Sequence, residues 1–439
     1  MAGDTSQAKG ADATNRAGTA LLERLPQLPG GRELLAAAAV REDVELVGGA
    51  TRDLLLGQRP RELDVVVGSG AEELAHELAD ALGLVGSYAG VRAGAHERFG
   101  TAFLVWEEGR IDVATRRAET YPGPGALPEV RPGGPEEDLQ RRDFTVNAIA
   151  LALAGPQRGE LRAPPHALDD LAAGRLRVLH AASFVEDPTR LLRLGRYLAR
   201  LGFRAETQTA QLAGAALAQD ALATVSGARV GAELRLVLSE ADPVAALSSL
   251  ARLGILGAID PQLGFEEGLA RRGLAELPGD GRPDLLLLAS LLVAGFHDDD
   301  AEHSGSAALL DRLEFPAPDR DRAASAAKLA PSLASRIGAL QRPSLLHREL
   351  ASAPLEAVAL AAAVDERGSA PATTAARRWL SELRAVRPRI TGDDLIAAGV
   401  PAGPEIGRRL AHVRDLRLDG ELEDTREAQL HAALGEQGA

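Results

Sequence analysis

The apolar residues follow two rhythms along the chain, and the change of rhythm divides it. Between residues 44 and 114 they come in short runs, such as Val44-Glu45-Leu46-Val47 and Leu63-Asp64-Val65-Val66-Val67. Short apolar runs bounded by glycine, proline or charged residues predict strands, here near 44–47, 63–67, 84–88, 101–106 and 110–114. Helical spacing predicts one helix over about Leu21–Ala39 and another over 71–82, AEELAHELADAL. Residues 1–18, small and polar, predict a disordered lead. The Pro- and Gly-rich stretch from Tyr121 to Gly134 predicts a loop, and Ala163-Pro164-Pro165 a break in the chain. From about residue 241 onward, Leu and Ala recur at helical spacing. The expected class is α+β, with the sheet at the N-terminal side and helices after it.

Composition narrows this picture. A chain of 439 residues, 45% hydrophobic and 26% charged, has material for several domains and a substantial core. It has no cysteine, so a disulfide framework and a cysteine zinc site are excluded. Neither a signal-peptide core nor a membrane-length apolar run is present, which makes the cytoplasm the expected location. The net charge of −14 argues against a protein coated in basic residues for nucleic acid, yet leaves room for a local basic face. Aromatics, at 3%, allow few base-stacking platforms. The basic residues are Arg apart from Lys9 and Lys328, as a GC-rich codon bias produces.

The candidate chemistry begins at Val44–Val67. The first strand runs directly into Gly48-Gly49 and a helical segment from about Ala50 to Leu56. A glycine pair lets backbone approach a ligand closely, and the helix start behind it offers free N–H groups to a phosphate. Arg52, in the first turn, adds positive charge there. The next strand carries Glu62 and Asp64, two apart and therefore on one face. A phosphate cradle followed by paired carboxylates suggests a metal-bound nucleoside triphosphate.

GGATRD followed by this acidic pair resembles the head domain of the bacterial class II tRNA nucleotidyltransferases and poly(A) polymerases, in the DNA polymerase beta superfamily. The likeness runs from about Val44 to Gly420 and is most specific over 44–204. It implies a nucleotidyltransferase head with a mixed sheet, then all-helical neck, body and tail. The expected limits are a lead over 1–28, head 29–155, neck 156–240, body 241–365 and a tRNA-binding tail 366–439. It also implies addition of C, C and A from CTP and ATP to the tRNA 3′ end, with release of pyrophosphate. Magnesium would be held by Glu62 and Asp64. The family usually has Asp where this chain has Glu62, a longer ligand that shifts the metal geometry.

Further matches follow in order. Gly48, Gly49, Arg52 and Asp53 belong to the nucleotide-binding set that the resemblance implies. Asp112 lies in an apolar strand, where an unpaired acid is costly. It is expected either as a third catalytic, metal-facing carboxylate, as half of a family hinge motif with Arg116, or as an Asp–Arg brace of the sheet. Arg141-Arg142-Asp143-Phe144-Thr145-Val146-Asn147 matches a family motif closely. Its arginines neutralise phosphate, while Asp143 and Asn147, four apart on one helical face, bond ribose or orient the arginines. Glu186-Asp187-Pro188-Thr189-Arg190 matches the family's base-reading helix, where Asp187 and Arg190 replace a template by hydrogen-bonding the incoming base. Arg193 and Arg196 follow on that helix. The alternatives are an N-cap at Asp187 and a solvated basic stripe through Arg190, Arg193, Arg196, Arg200 and Arg204. Arg229 and Glu233 fit a supporting helix. Phe296-His297-Asp298-Asp299-Asp300 lacks the upstream His of a phosphohydrolase site and is expected as a polar loop. Arg408, Arg409 and Arg414 lie in a stretch similar to the family's tRNA-contacting tail. Rival readings are a poly(A) polymerase, a CC-only or A-only adding enzyme, and a non-catalytic RNA-binding relative.

Overall fold

The computed structural model describes residues 16–84, 100–295, 304–364 and 370–435. Residues 1–15 of the expected lead, residues 85–88 of the strand expected over 84–88 and the Phe296–Asp300 loop lie outside these residues. The chain forms two units, Met1–Val225 and Ser226–Ala439. The boundary falls inside the stretch expected as neck.

In the first unit, residues 16–24 form helix α1, and α2 follows over Gly31–Ala38. The single helix expected over 21–39 is therefore two, and residues 16–18 of the lead are helical. Pro26 and Pro29 interrupt the hydrogen-bond ladder, and Gly30 adopts φ 73° before α2. Then come β1 (Val44–Val47), α3 (Gly48–Leu55), β2 (Leu63–Val67), α4 (Ala71–Ala81), β3 (Thr101–Trp106) and β4 (Gly109–Thr115). β5 (Arg117–Thr120) and β6 (Glu129–Pro132) form a separate antiparallel pair, so part of the expected Tyr121–Gly134 loop is strand. After them lie α5 (Pro135–Gln140), β7 (Ala150–Ala152) and β8 (Leu161–Arg162).

The main sheet has the order β3-β4-β2-β1-β7-β8. It is mixed: β2 and β4 run parallel, and the other neighbours antiparallel. β8 lies past the expected head limit at 155, and the sheet ends just before the Pro164-Pro165 break.

Strand alternation gives this sheet two chemically different faces. Leu63, Val65 and Val67 of β2 join Ile111 and Val113 of β4 in a core with Leu34 of α2 and Leu74, Leu78 and Ala79 of α4. The opposite face carries Val47, Val66 and Ala150 in a second, smaller cluster with Leu139 and Ala148. The two-residue period therefore puts Asp64 and Asp112 on the face away from α2 and α4. Their register is Asp64↔Asp112, so the strands place them side by side.

The rest of the unit is helical, with α6 (Ala167–Ala172), α7 (Ser183–Glu186), α8 (Thr189–Leu201) and α9 (Thr207–Ala218). A two-stranded parallel pair, β9 (Arg175–Leu176) and β10 (Arg204–Ala205), ties α8 back to the chain. Pro188 sits at the N-cap of α8, and Gly202 at its C-cap is left-handed with φ 65°.

The described residues of the second unit are helical, from Gly227–Leu238 to Arg426–Leu434. Its central helix, Pro283–Gly295, buries Leu285 to Leu288, Leu291 and Leu292, as a helix apolar on all sides does in a core. Near the C-terminus, Leu395, Val413 and Ala433 close a small core between three helices. Among the described residues no helix is long and apolar enough to cross a membrane.

Candidate active site

Asp64 of β2, Asp112 of β4 and Glu62, one residue before β2, form a carboxylate cluster. One oxygen from each lies within 4.8 Å of the others. Glu62 projects in phase with Asp64, and Asp112 meets both across the parallel pair. Hard oxygen donors at this spacing can hold a divalent cation. Burial lifts the Asp64 carboxyl to about 7, and the charges of Glu62 and Asp112 add to that lift, while Arg142 and Arg110 oppose it. The longer Glu62 still reaches the cluster.

The glycine pair adjoins it. Gly48 has φ 68°, and a Cβ there would lie 3.0 Å from Nη1 of Arg142 and 3.4 Å from Oδ2 of Asp64. At Gly49 a Cβ would lie 3.9 Å from the same Asp64 oxygen. Glycine is favoured at position 48 by its left-handed backbone, while a Cβ at position 49 would make only ordinary contact. Arg142 is the basic residue nearest this corner. Its Nη2 donates to Asp138 at 2.9 Å, while its buried Nε has no hydrogen-bond partner.

Arg52 is placed differently from expectation. It is 1% exposed. It donates to Asp53 through Nε at 2.8 Å and Nη2 at 2.6 Å, and to Asn147 through Nη1. α3 begins two residues earlier than expected, at Gly48, so Arg52 falls in its second turn and is buried, while its Nη2 stays 3.6 Å from where a Cβ on Gly49 would lie. Asp53 also faces Arg200 at 3.5 Å.

Asp143 and Asn147 do not share an α-helix. The chain there is a turn followed by a 3₁₀ segment, Thr145–Asn147. Asn147 Nδ2 nevertheless donates to Asp143 at 2.9 Å. Asp143 also accepts from Phe144 N at 2.8 Å and from Arg193 at 2.7 Å. Burial opposes its ionisation, but the Arg193 charge and the hydrogen bonds from Asn147, Arg193 and Phe144 prevail and hold it down at about 2. One chain of contacts, Arg52–Asn147–Asp143–Arg193, thus joins the three sequence motifs.

Tyr197 sits inside this chain. The guanidiniums of Arg52, Arg193 and Arg196 lie 5.3, 5.6 and 4.8 Å from its ring centre. Arg190 and Arg196 are buried, so the solvated-stripe reading of α8 is corrected for these two. Arg190 donates to Ser183 Oγ at 2.6 Å and to the Arg141 carbonyl at 2.7 Å. Asp187 is half-buried and lies one residue before the Pro188 N-cap, and its Oδ1 accepts from Thr189 N at 3.1 Å and Thr189 Oγ1 at 2.6 Å.

The Asp112–Arg116 brace does not form. Four residues along a strand span roughly 13 Å, beyond the reach of a salt bridge. Arg116 instead meets Glu45 at 2.9 Å, and Arg110 holds Asp112 at 2.7 Å. In the tail, Arg409 is buried and donates to Glu405 at 2.7 Å and to the Ala433 carbonyl at 2.7 Å. It joins two tail helices instead of facing outward for RNA. Arg408 is exposed and pairs with Glu405 at 2.6 Å, and Arg414 is part-exposed beside Asp415.

Sequence reasoning passed over Asp138, which is 1% exposed and accepts from both Arg141, at 2.8 Å, and Arg142, at 2.9 Å. Its spacing of three and four to those arginines was the available signal. Arg141 also meets Glu119 at 3.1 Å, so it is committed to structure on both sides. Tyr197, four residues after Arg193 on α8, was missed for want of any signal beyond that spacing.

The Asp64 carboxyl yields a pH prediction. Between the ordinary value of 3.8 and about 7, the folded protein holds a proton that the unfolded chain has lost. Stability of the metal-free protein therefore falls as pH rises through this window. A divalent cation held by these acids would bind the ionised form, so the gain in melting temperature on adding magnesium is expected to be larger at pH 8 than at pH 6. A gain independent of pH would contradict this assignment.

A family model described as Poly A polymerase head domain matches residues 44–177. An A-adding tRNA nucleotidyltransferase of Halalkalibacterium halodurans is 40% identical over 226 residues, which is 51% of each chain. The chain thus spans about half the length of that relative. A CC-adding tRNA nucleotidyltransferase of Deinococcus radiodurans is 34% identical over 414 residues, 92% of each chain. Among solved structures, the Thermotoga maritima CCA-adding enzyme complexed with tRNA is similar with a TM-score of 0.72 and 25% identity, over 96% of this chain and 98% of that one.

Proposed function

This chain belongs to the bacterial tRNA nucleotidyltransferase family, and from that premise we propose that it adds C, C and A from CTP and ATP to the 3′ end of tRNA. The observation that carries this reading is the convergence of Glu62, Asp64 and Asp112 beside the Gly48-Gly49 corner and Arg142. The 3′-hydroxyl oxygen attacks the α-phosphorus of the nucleotide as its proton passes to water, the bond to the β-phosphate breaks, and pyrophosphate leaves. Glu62 and Asp64, with Asp112 beside them, would hold magnesium, which would supply Lewis-acid activation of the hydroxyl and charge neutralisation on the leaving group. The protein's own part is positioning and charge. Gly48 and Gly49 let the triphosphate approach the backbone, and Arg142 supplies positive charge at that corner. Asp138 aims Arg142, while Asp143, Asn147 and Arg193 fix α3 against α8.

Asp187 and Arg190 are assigned to reading the base, as the resemblance implies. Arg190 already bonds Ser183 and the Arg141 carbonyl, so this role requires its guanidinium to change partners when nucleotide arrives. Exposed Arg408 and part-exposed Arg414 remain the tail's candidates for RNA phosphate. A second reading, addition of CC only or A only, is favoured by the names of the relatives, which include A-adding, CC-adding and multifunctional CCA enzymes.

One assay addresses both. The purified chain is given tRNA lacking CCA with CTP, ATP, UTP and GTP, singly and as the CTP–ATP pair. CTP followed by ATP is expected to give full CCA ends. Products that stop at CC, or ATP incorporation only onto tRNA ending in CC, would replace the full reading with the partial one. In the same assay Asp187→Ala is expected to erode the preference for CTP and ATP over UTP and GTP by about tenfold, because the mismatched bases no longer leave a polar group unpaired. Loss of its contact to Thr189 N also costs about 1 kcal/mol of stability. A mutant that melts lower but selects as before would leave Asp187 a cap and nothing more.

A further inference from the structure

We propose that Arg110 is the resident counter-ion of the carboxylate cluster, holding Asp112 and Glu62 in place until a divalent cation displaces it, and thereby setting the metal affinity of the site. This rests on reading Glu62, Asp64 and Asp112 as the metal-holding group. Arg110 Nε donates to Asp112 Oδ1 at 2.7 Å and Nη2 to Oδ2 at 2.9 Å. The same Nε lies 3.3 Å from Glu62 Oε2. The guanidinium therefore occupies both oxygens of one acid and reaches a second, in the planar fork that suits a carboxylate.

The backbone enforces the arrangement. Arg110 and Asp112 are two apart on β4, so both project from the same face of the sheet. In the β3–β4 register Phe103 lies opposite Asp112, and its ring centre is 5.5 Å from the Arg110 guanidinium. The ring gives the side chain a platform from which to reach the acids.

Two consequences follow. Three carboxylates within 4.8 Å repel one another, and one fixed positive charge offsets that repulsion without metal. A cation that takes Asp112 meets oxygens that each already accept from Arg110, so it competes with the guanidinium for their lone pairs and is repelled by its charge. Metal entry therefore weakens these charge-assisted bonds and favours withdrawal of Arg110. The exchange is feasible because the Arg110 side chain is 45% exposed and water receives it. It also lines a cleft with Arg59, Arg61 and Glu108, which offers space and an acidic neighbour to the displaced group.

The test is magnesium binding to the full chain by titration calorimetry, without nucleotide or tRNA, for the native protein, Arg110→Ala, Arg110→Lys and Asp64→Ala. Arg110→Ala is expected to bind magnesium about 5- to 20-fold more tightly, a range set by a part-exposed, bidentate ion pair. Arg110→Lys, a point charge without the fork, falls between the two. In melting curves with chelator Arg110→Ala is expected to unfold at a lower temperature than the native protein, and to gain more from magnesium. Should Arg110→Ala prove unstable, Arg110→Gln keeps the stem and a donor and serves in its place, with the same direction of change. Equal or weaker binding by the Arg110 variants, with binding lost in Asp64→Ala, overturns the counter-ion role and leaves the metal site standing. Binding absent from every form, or unaffected by Asp64→Ala, overturns the metal reading and this inference with it.

Discussion

Asp64→Ala is expected to lower nucleotide incorporation roughly a thousandfold or more, while the metal-free protein melts no lower than the native one. Losing a ligand of the activating cation removes stabilisation that is strongest in the transition state, where charge develops on the attacking and leaving oxygens. The effect on stability runs the other way. Asp64 stands at about 7 because burial and its two acidic neighbours disfavour its charge. Without metal at pH 8 the fold must hold this carboxylate ionised, and alanine removes the repulsion. The measurement pairs labelled CTP and ATP incorporation into tRNA with melting curves in chelator. Activity within tenfold of native would remove Asp64 from the catalytic centre. A collapse of the metal-free fold would show that it braces the sheet instead.

Asp143→Ala is expected to cost about 2–3 kcal/mol and to lower the melting temperature by about 5–10 °C, far more than loss of a helix cap. Asp143 is 6% exposed and accepts from Arg193, Asn147 and Phe144 N. Its removal leaves the Arg193 guanidinium without its carboxylate and the Asn147 amide without its acceptor. The lower part of the 3–5 kcal/mol range for broken buried pairs applies, because Arg193 is 29% exposed and water recovers some of the loss. The pH signature is distinct. Its carboxyl is lowered from 3.8 to about 2, so its contribution is present above the unfolded value and disappears as the solution is acidified through about 2. Activity should also fall, by about a hundredfold, because α3 and α8 lose the link that sets their spacing. Thermal and acid unfolding of the variant beside native protein, with the incorporation assay, checks all three. A melting temperature within 2 °C of native would reduce Asp143 to a surface turn residue.

How much of this was legible beforehand differs by kind of feature. The strands over 44–47, 63–67 and 101–106 stand as the apolar runs predicted, because a run too short for a helix, rich in β-branched or aromatic residues and bounded by turn or charged residues, favours a strand. The sharing of one sheet face by Asp64 and Asp112 needed strand pairing as well. Nothing in the sequence says that β2 and β4 are neighbours, that they run parallel, or that their register sets Asp64 opposite Asp112. The leucine spacing over 21–39 continues across Pro26 and Pro29, but these prolines end one helix and separate it from the next.

The arginines show the limit most clearly. The sequence implied that Arg52, Arg141 and Arg409 face anions, and that Arg190 reads a base or lies in a solvated stripe. The structure buries Arg52, Arg190 and Arg409 and commits Arg141 to Asp138 and Glu119. A guanidinium carries five donors on a long stem, and its partner is chosen by whichever acid or carbonyl the fold brings near. That neighbour is often distant in the chain: Asn147 for Arg52, Glu45 for Arg116 and the Ala433 carbonyl for Arg409. By itself the sequence determined most of the strand and helix rhythm of the described residues, the family through motifs in fixed order, and the acids and glycines of the candidate corner, because these depend on residue type and local spacing. Only the tertiary structure decided which charges meet, that Arg110 takes Asp112 where Arg116 was expected, and that Tyr197 gathers three guanidiniums, because long-range pairing is set by packing and register, on which local sequence is silent.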